Sequence, residues 1–189
     1  MQRPTPKDVE IKINPTKYIV SRTDPQGVIL FANHYFCEIC GYSHDELVGQ
    51  PHNIIRHPDM PKIVFKLMWD TINQGKDFCG IVKNLAKDGR YYWVMTQFMP
   101  KIDEMSGKII SHTAYRKAPP RKAIEEVEPL YEKLLAAEEA GGMEESEAVL
   151  KDFLHQRGES YNDFIDEITG RHTPAIKLFF IAMRKLFAH

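Results

Sequence analysis

The run Arg56-His57-Pro58-Asp59 places a cation, an imidazole and a carboxylate within a few residues of one another. An arginine suits phosphate because its planar fork binds two oxygens at once. By itself the run also reads as a loop clasp, with Arg56 paired to Asp59 and His57 as a turn residue before Pro58. Asn84 brings an amide, a group that both donates and accepts hydrogen bonds. It precedes the turn Lys87-Asp88-Gly89, so a solvated asparagine is its plainer reading. Trp69 and Phe78 supply aromatic surface for a cavity wall or for a core. Binding sites of this kind combine apolar walls with a few placed polar groups.

Cys37 and Cys40 form a C-x-x-C pair, and Cys79 stands alone. No second C-x-x-C follows and no histidine pair lies at finger spacing, so the pair reads as buried helix cysteines. The 189 residues carry a formal net charge of -1, which gives no basic field for nucleic acid. No apolar run approaches the roughly 20 residues needed to span a bilayer. The first ten residues lack the apolar stretch of an export signal. A cytoplasmic protein is expected, with any peripheral inner-membrane association running through a receptor partner. Nucleophile–base pairs, metal-ligand spacings and phosphate loops do not appear, so an enzyme is not expected.

The elements that would position these residues follow from periodicity. Residues 1–15 read as a flexible arm. Strands are expected at 18–22 and 28–32, joined by the turn Asp24-Pro25-Gln26-Gly27. A short helix over 33–39 ends at Gly41, and Ser43 with Glu46 makes a capping box for another. A longer helix begins near Pro61 and stops by Gly75. Strands over 78–85, 91–99 and 109–115 complete an α+β fold: a five-stranded antiparallel sheet with helices on one face. Ala118-Pro119-Pro120 marks a boundary, after which residues 121–189 read as an all-helical extension. Pro129 is expected to kink its first helix and Gly141-Gly142 to break it. Further helices are expected over 144–156 and from Tyr161 to Thr169. The apolar segment Pro174 to Phe187 reads as an output or partner surface.

The segment GQPHNIIRHPDMPKIVFKLMW, residues 49–69, resembles the flavin-binding PAS domains of the aerotaxis-receptor (Aer-like) class. The resemblance continues through Gly80-Ile81-Val82-Lys83-Asn84, Lys87-Asp88-Gly89 and Tyr92-Trp93-Val94, and resumes at Val127-Glu128-Pro129-Leu130-Tyr131. It covers roughly residues 18–135. It implies a PAS fold over residues 16–117 that holds FAD between sheet and helices. By match of motif, Arg56, His57 and Asp59 are tied to FAD binding, Asn84 to the edge of the flavin ring, and Trp69 to its neighbourhood. Phe78 and Asn33 complete the expected cofactor-binding set. One departure is that the class carries a Trp just before the G-I-V-K-N run, where this chain has Phe78-Cys79. No metal or catalytic residues are expected.

The resemblance further implies a redox or energy sensor that reports to a membrane-bound chemotaxis-type receptor, as the stand-alone (CetB-like) PAS half of a two-protein energy-taxis receptor does. A homodimer is expected. Two other readings stay open. Haem b could occupy the fold through His52, His57 or His112, since a neutral imidazole serves as an axial ligand. Alternatively, the fold could act as a cofactor-free dimerisation module. On the flavin reading the chain beyond Arg116 is expected to be dispensable for FAD.

Overall fold

A computed structural model describes residues 3–170. The expected apolar tail segment, residues 174–187, lies outside them. Strand β1, Ile19–Thr23, turns back into β2, Ile29–Ala32. The turn forms because Asp24 Oδ1 accepts from the backbone N–H groups of Gln26 (2.9 Å) and Val28 (2.8 Å). Gly27 closes it with φ of +87°, a conformation that disfavours a side chain. The Trp69 ring also fills the space there, 3.1 Å from where a Cβ would sit.

Three helices follow. Helix α1, His34–Cys40, is capped by Asn33 and stopped by Gly41. Helix α2, His44–Leu47, has the expected Ser43–Glu46 capping box. A short 3-10 turn over His52–Ile55 leads to helix α3, Lys62–Ile72. Strands β3 (Phe78–Leu85), β4 (Tyr91–Ile102) and β5 (Ile109–Lys117) complete a sheet of order β2-β1-β5-β4-β3. All its neighbours are antiparallel. Strand β4 runs past its expected end at residue 99 and includes Pro100. Strand β3 begins at Phe78, paired with Phe98, so beyond that point β4 has only one neighbour and tolerates a proline.

Beyond Pro120 the chain forms α4, Arg121–Arg157, whose helical dihedrals fail only at Gly142 (φ 77°, ψ -161°). Pro129 keeps helical dihedrals, so the break falls at the glycine pair. The second limb folds back on the first, and Ser146 Oγ donates to Leu134 O at 3.0 Å. Helix α5, Tyr161–Thr169, follows a capping box at Ser160 and Asp163.

These last helices share one hydrophobic core with the sheet. Side chains on both faces of β3 are buried, which an edge strand left to solvent would not achieve. Tyr131 of α4 stacks on Trp93 at 6.4 Å between centroids, and Tyr161 of α5 stacks on Phe78 at 5.5 Å. The free edge of β3 is closed residue by residue. Cys79 N donates to Asn162 Oδ1 (3.2 Å), Ile81 O accepts from Tyr131 (2.7 Å), and Lys83 N meets the Met60 sulfur (3.2 Å). Exposed edges template unwanted pairing, and side chains from both sides of the proline boundary cover this one. The chain before that boundary is also tied down. Lys7 N donates to Gly89 O and Ile11 N to Tyr91 O, each at 2.7 Å. Among the described residues no helix is long and apolar enough to cross a membrane.

Candidate functional site

Helix α3 and the 3-10 turn stand off from the sheet and leave a cavity of about 320 Å³. That volume lies at the lower end of the range typical of small-molecule sites. Its walls follow from strand alternation. Ser21 and Thr23 of β1, Val82 and Asn84 of β3, Thr96 and Phe98 of β4, and His112, Ala114 and Arg116 of β5 all face the same side. Helix α3 contributes Phe65, Met68, Trp69 and Ile72 from one stripe. His52 and Arg56 close the end nearest the 3-10 turn.

Several polar groups of the wall are unspent. Asn84 is 4% exposed and its amide makes no hydrogen bond to the described residues. Thr96 Oγ1 and both ring nitrogens of His112 are likewise buried without a partner. Buried polar groups left unpaired usually cost about 1–3 kcal/mol each. Several of them aimed into one space indicate a ligand that supplies the missing bonds. Burial lowers the pKa of His112, so its ring is neutral and offers one donor and one acceptor. Among the described residues no acidic side chain lines the cavity, whereas two arginines do.

Three of the seven expected residues, Arg56, Asn84 and Trp69, line this cavity together. Arg56 lies 4.0 Å over the Phe65 ring, donates to Met60 O at 3.2 Å, and bridges Asn84 backbone to backbone. It does not clasp Asp59. Burial lowers its pKa and the nearby charge of Glu138 on α4 works against that shift. Trp69 stands edge-on to His112, with centroids 5.7 Å apart.

The structure does not bring the other four to the cavity walls. His57 is buried outside it, where its Nδ1 accepts from Asp59 N at 3.1 Å and fixes the turn after Pro58. Asp59 faces solvent and pairs with Lys83 at 2.7 Å. Phe78 sits at the start of β3 beyond Gly80, and its ring is taken by Tyr161 and Phe98. Asn33 spends its side chain on the backbone: Oδ1 accepts from Val20 N and Phe36 N, and Nδ2 donates to Tyr18 O. Cys37 and Cys40 are disfavoured as thiolates. Burial pushes the Cys40 thiol up to about 11, and that of Cys37 upward as well.

Several cavity residues escaped the sequence reading, Arg116 and Ser21 among them. Arg116 is 2% exposed and donates to Ser21 Oγ and to His52 Nε2, each at 2.9 Å. Ser21 was also passed over, although it alternates with buried Ile19 and Thr23. The signal for Arg116 was its position in β5, in phase with His112 and Ala114, because a charge on the core-facing side of a strand needs an explanation.

The likenesses to known proteins agree with this geometry. A family described as PAS fold matches residues 29–113. The aerotaxis receptor of Escherichia coli (strain K12) is 41% identical over 136 residues, covering 72% of this chain and 26% of the receptor. Phototropin-2 of Oryza sativa subsp. japonica is 30% identical over 104 residues, covering 55% of this chain and 11% of that protein. The chain thus spans about a quarter or less of the length of these relatives. A light-oxygen-voltage domain, solved in a study of a flavin analogue, superposes with a TM-score of 0.52 at 18% identity, covering 61% of this chain and 86% of that one. With its sheet order, its helices over one face and its sequence likeness to the aerotaxis receptor, this chain carries a PAS fold.

Proposed function

We propose that this chain is a redox sensor that binds a flavin, specifically FAD, in the cavity between α3 and the sheet. The observation that carries the reading is the Asn84 amide, buried in the cavity wall with donor and acceptor both free. A flavin ring presents carbonyls and ring nitrogens along one edge, and its N5 accepts when oxidised and donates when reduced. An amide can answer both states by rotating. Thr96, His112 and Arg116 supply further partners, while Trp69, Phe65 and Phe98 supply aromatic surface. The choice of FAD rests on the Aer-like run from Arg56 to Asp59. Within it Arg56 alone reaches the cavity, with donors to spare for a ligand oxygen.

Transmission would run through β3. Asn84 lies on the strand whose Ile81 carbonyl is held by Tyr131 of α4, and Tyr131 in turn meets Tyr161 of α5. A rotation of the Asn84 amide that shifts β3 is felt at both helices. These helices, or the chain beyond them, would engage a membrane-bound chemotaxis-type receptor or a second copy of the chain.

A second reading is haem, favoured by His112, a neutral buried imidazole with both nitrogens free. His52 does not serve it equally, because Arg116 and Ser21 already occupy its Nε2. The absorption spectrum of the purified protein separates the readings. Two flavin bands and release of FAD on denaturation are expected. A Soret band would establish haem instead, and a colourless protein that takes up neither group would leave the dimerisation module.

A further inference from the structure

Arg116 is the least expected group in this core. Its guanidinium is buried between the rings of Phe36 (5.7 Å) and Phe98 (5.8 Å), and no carboxylate pairs with it among the described residues. An isolated buried cation is costly, and buried charges are normally paired. Its two protein partners are neutral. A guanidinium only donates, so His52 Nε2 must accept. Ser21 Oγ lies 3.1 Å from that same nitrogen and can donate to it while accepting from Arg116. His52 and Ser21 therefore aim the guanidinium without neutralising it. Burial lowers the pKa of Arg116 to about 10, which still leaves it charged at neutral pH. The cation lines the cavity, and no acidic side chain among the described residues shares the walls.

We infer that Arg116, aimed by Ser21 and His52, is the counter-charge for the electron-rich edge of the bound ligand. The inference rests on the flavin reading and deepens it: the guanidinium would face a ring carbonyl when the flavin is oxidised, and the negative charge the ring acquires on reduction. When dithionite supplies two electrons and water supplies one proton to the ring, one negative charge remains on the ring. A fixed cation beside that edge stabilises the reduced form more than the oxidised one. Arg116 is thus a positioning and potential-setting residue, and Ser21 and His52 orient it.

The inference makes opposite demands on the empty and loaded protein. In the flavin-free protein, Arg116→Met removes an unpaired buried charge and leaves Ser21 and His52 to bond each other, so the melting temperature should hold or rise. In the loaded protein the same variant should bind FAD about ten- to a hundredfold more weakly, the loss of one charge-assisted hydrogen bond. It should also lower the two-electron midpoint potential, measured by dye equilibration with dithionite. Each tenfold loss in preference for the reduced ring reads as about 30 mV. His52→Gln keeps the charge but loosens its aim, so it should shift the potential in the same direction by less. It serves as the second variant if Arg116→Met fails to fold. If wild type binds FAD and both variants keep its affinity and potential, Arg116 is not the counter-charge, although the flavin reading stands. If wild type binds no flavin, both fall together.

Discussion

Removing one oxygen atom from Tyr131 tests how the helical extension is fastened to the sheet. Tyr131 and Tyr161 are both buried, with oxygens 2.6 Å apart, and Tyr131 donates to Ile81 O at 2.7 Å. A phenol has one hydrogen, so Tyr161 must donate to Tyr131. Burial pushes both phenols well above their ordinary pKa, so both stay protonated. Tyr131→Phe therefore strands two groups at once: the Ile81 carbonyl loses its donor and the Tyr161 hydroxyl loses its acceptor. One such buried loss costs about 1–3 kcal/mol. For a chain of this size that corresponds to about 2–12 °C in melting temperature. Tyr161→Phe removes a donor but strands nothing, because Tyr131 still bonds to Ile81. It should cost about 0.5–1.5 kcal/mol. The double variant should cost less than the sum of the two, since the hydroxyls share a bond. Thermal and denaturant unfolding of the three variants decides it. A Tyr161→Phe loss equal to or larger than that of Tyr131→Phe would refute the direction of the chain of bonds, and so the claim that Tyr131 closes the β3 edge.

Three further outcomes are expected. Asn84→Asp should retain flavin but lose the difference in hydrogen exchange between oxidised and reduced protein at β3, α4 and α5; an unchanged difference would remove Asn84 as the switch. Glu138→Gln should weaken the cap on α3, where Glu138 Oε1 accepts from Ile63 N at 2.9 Å and Pro61 offers no side-chain cap. A loss of about 1 kcal/mol and faster exchange of the first α3 amides are expected, and full protection would show that the cap is idle. Stability should also fall as pH drops below about 6.5, where histidines in the unfolded chain take up protons. Burial holds the folded pKa of His52, His57 and His112 below that value, so each takes up its proton at a lower pH in the folded state than in the unfolded chain. Each contributes up to about 1.4 kcal/mol per pH unit to the loss. His52→Gln should flatten the slope between pH 7.5 and 5.5 in denaturant titrations, and an unchanged slope would contradict a buried neutral His52.

Where the determinants were local, the sequence was enough. The Asp24 turn, the Ser43–Glu46 box and Gly41 each act within a few residues, and the structure has them in place. Trp69 and Asn84 were singled out by the resemblance rather than by strand phase or helix stripe, and both line the cavity. The long-range choices were less legible. Nothing near Asp59 in sequence says that Lys83 will draw it out to solvent, and nothing near Phe78 says that Tyr161 will take its ring. The proline pair at 119–120 suggested a separable extension. The apolar faces of α4 and α5 instead complete the core around β3, through contacts spanning 50 residues or more, such as Tyr131 with Ile81. Arg116 was overlooked because a charge one residue from a strand end looks solvated until His52, far away in the chain, is seen to meet it.

The central claim is that the cavity beside Asn84 is a flavin site, and equilibrium titration tests it most directly. Protein stripped of any bound group is titrated with FAD, FMN and haemin in parallel, following flavin fluorescence and visible absorption. The account predicts saturation at one FAD per chain with quenching by the Trp69 wall, weaker uptake of FMN, and loss of FAD affinity in Arg116→Met. Stoichiometric haemin binding with a Soret band abolished by His112→Ala, and no saturable flavin uptake, would contradict it.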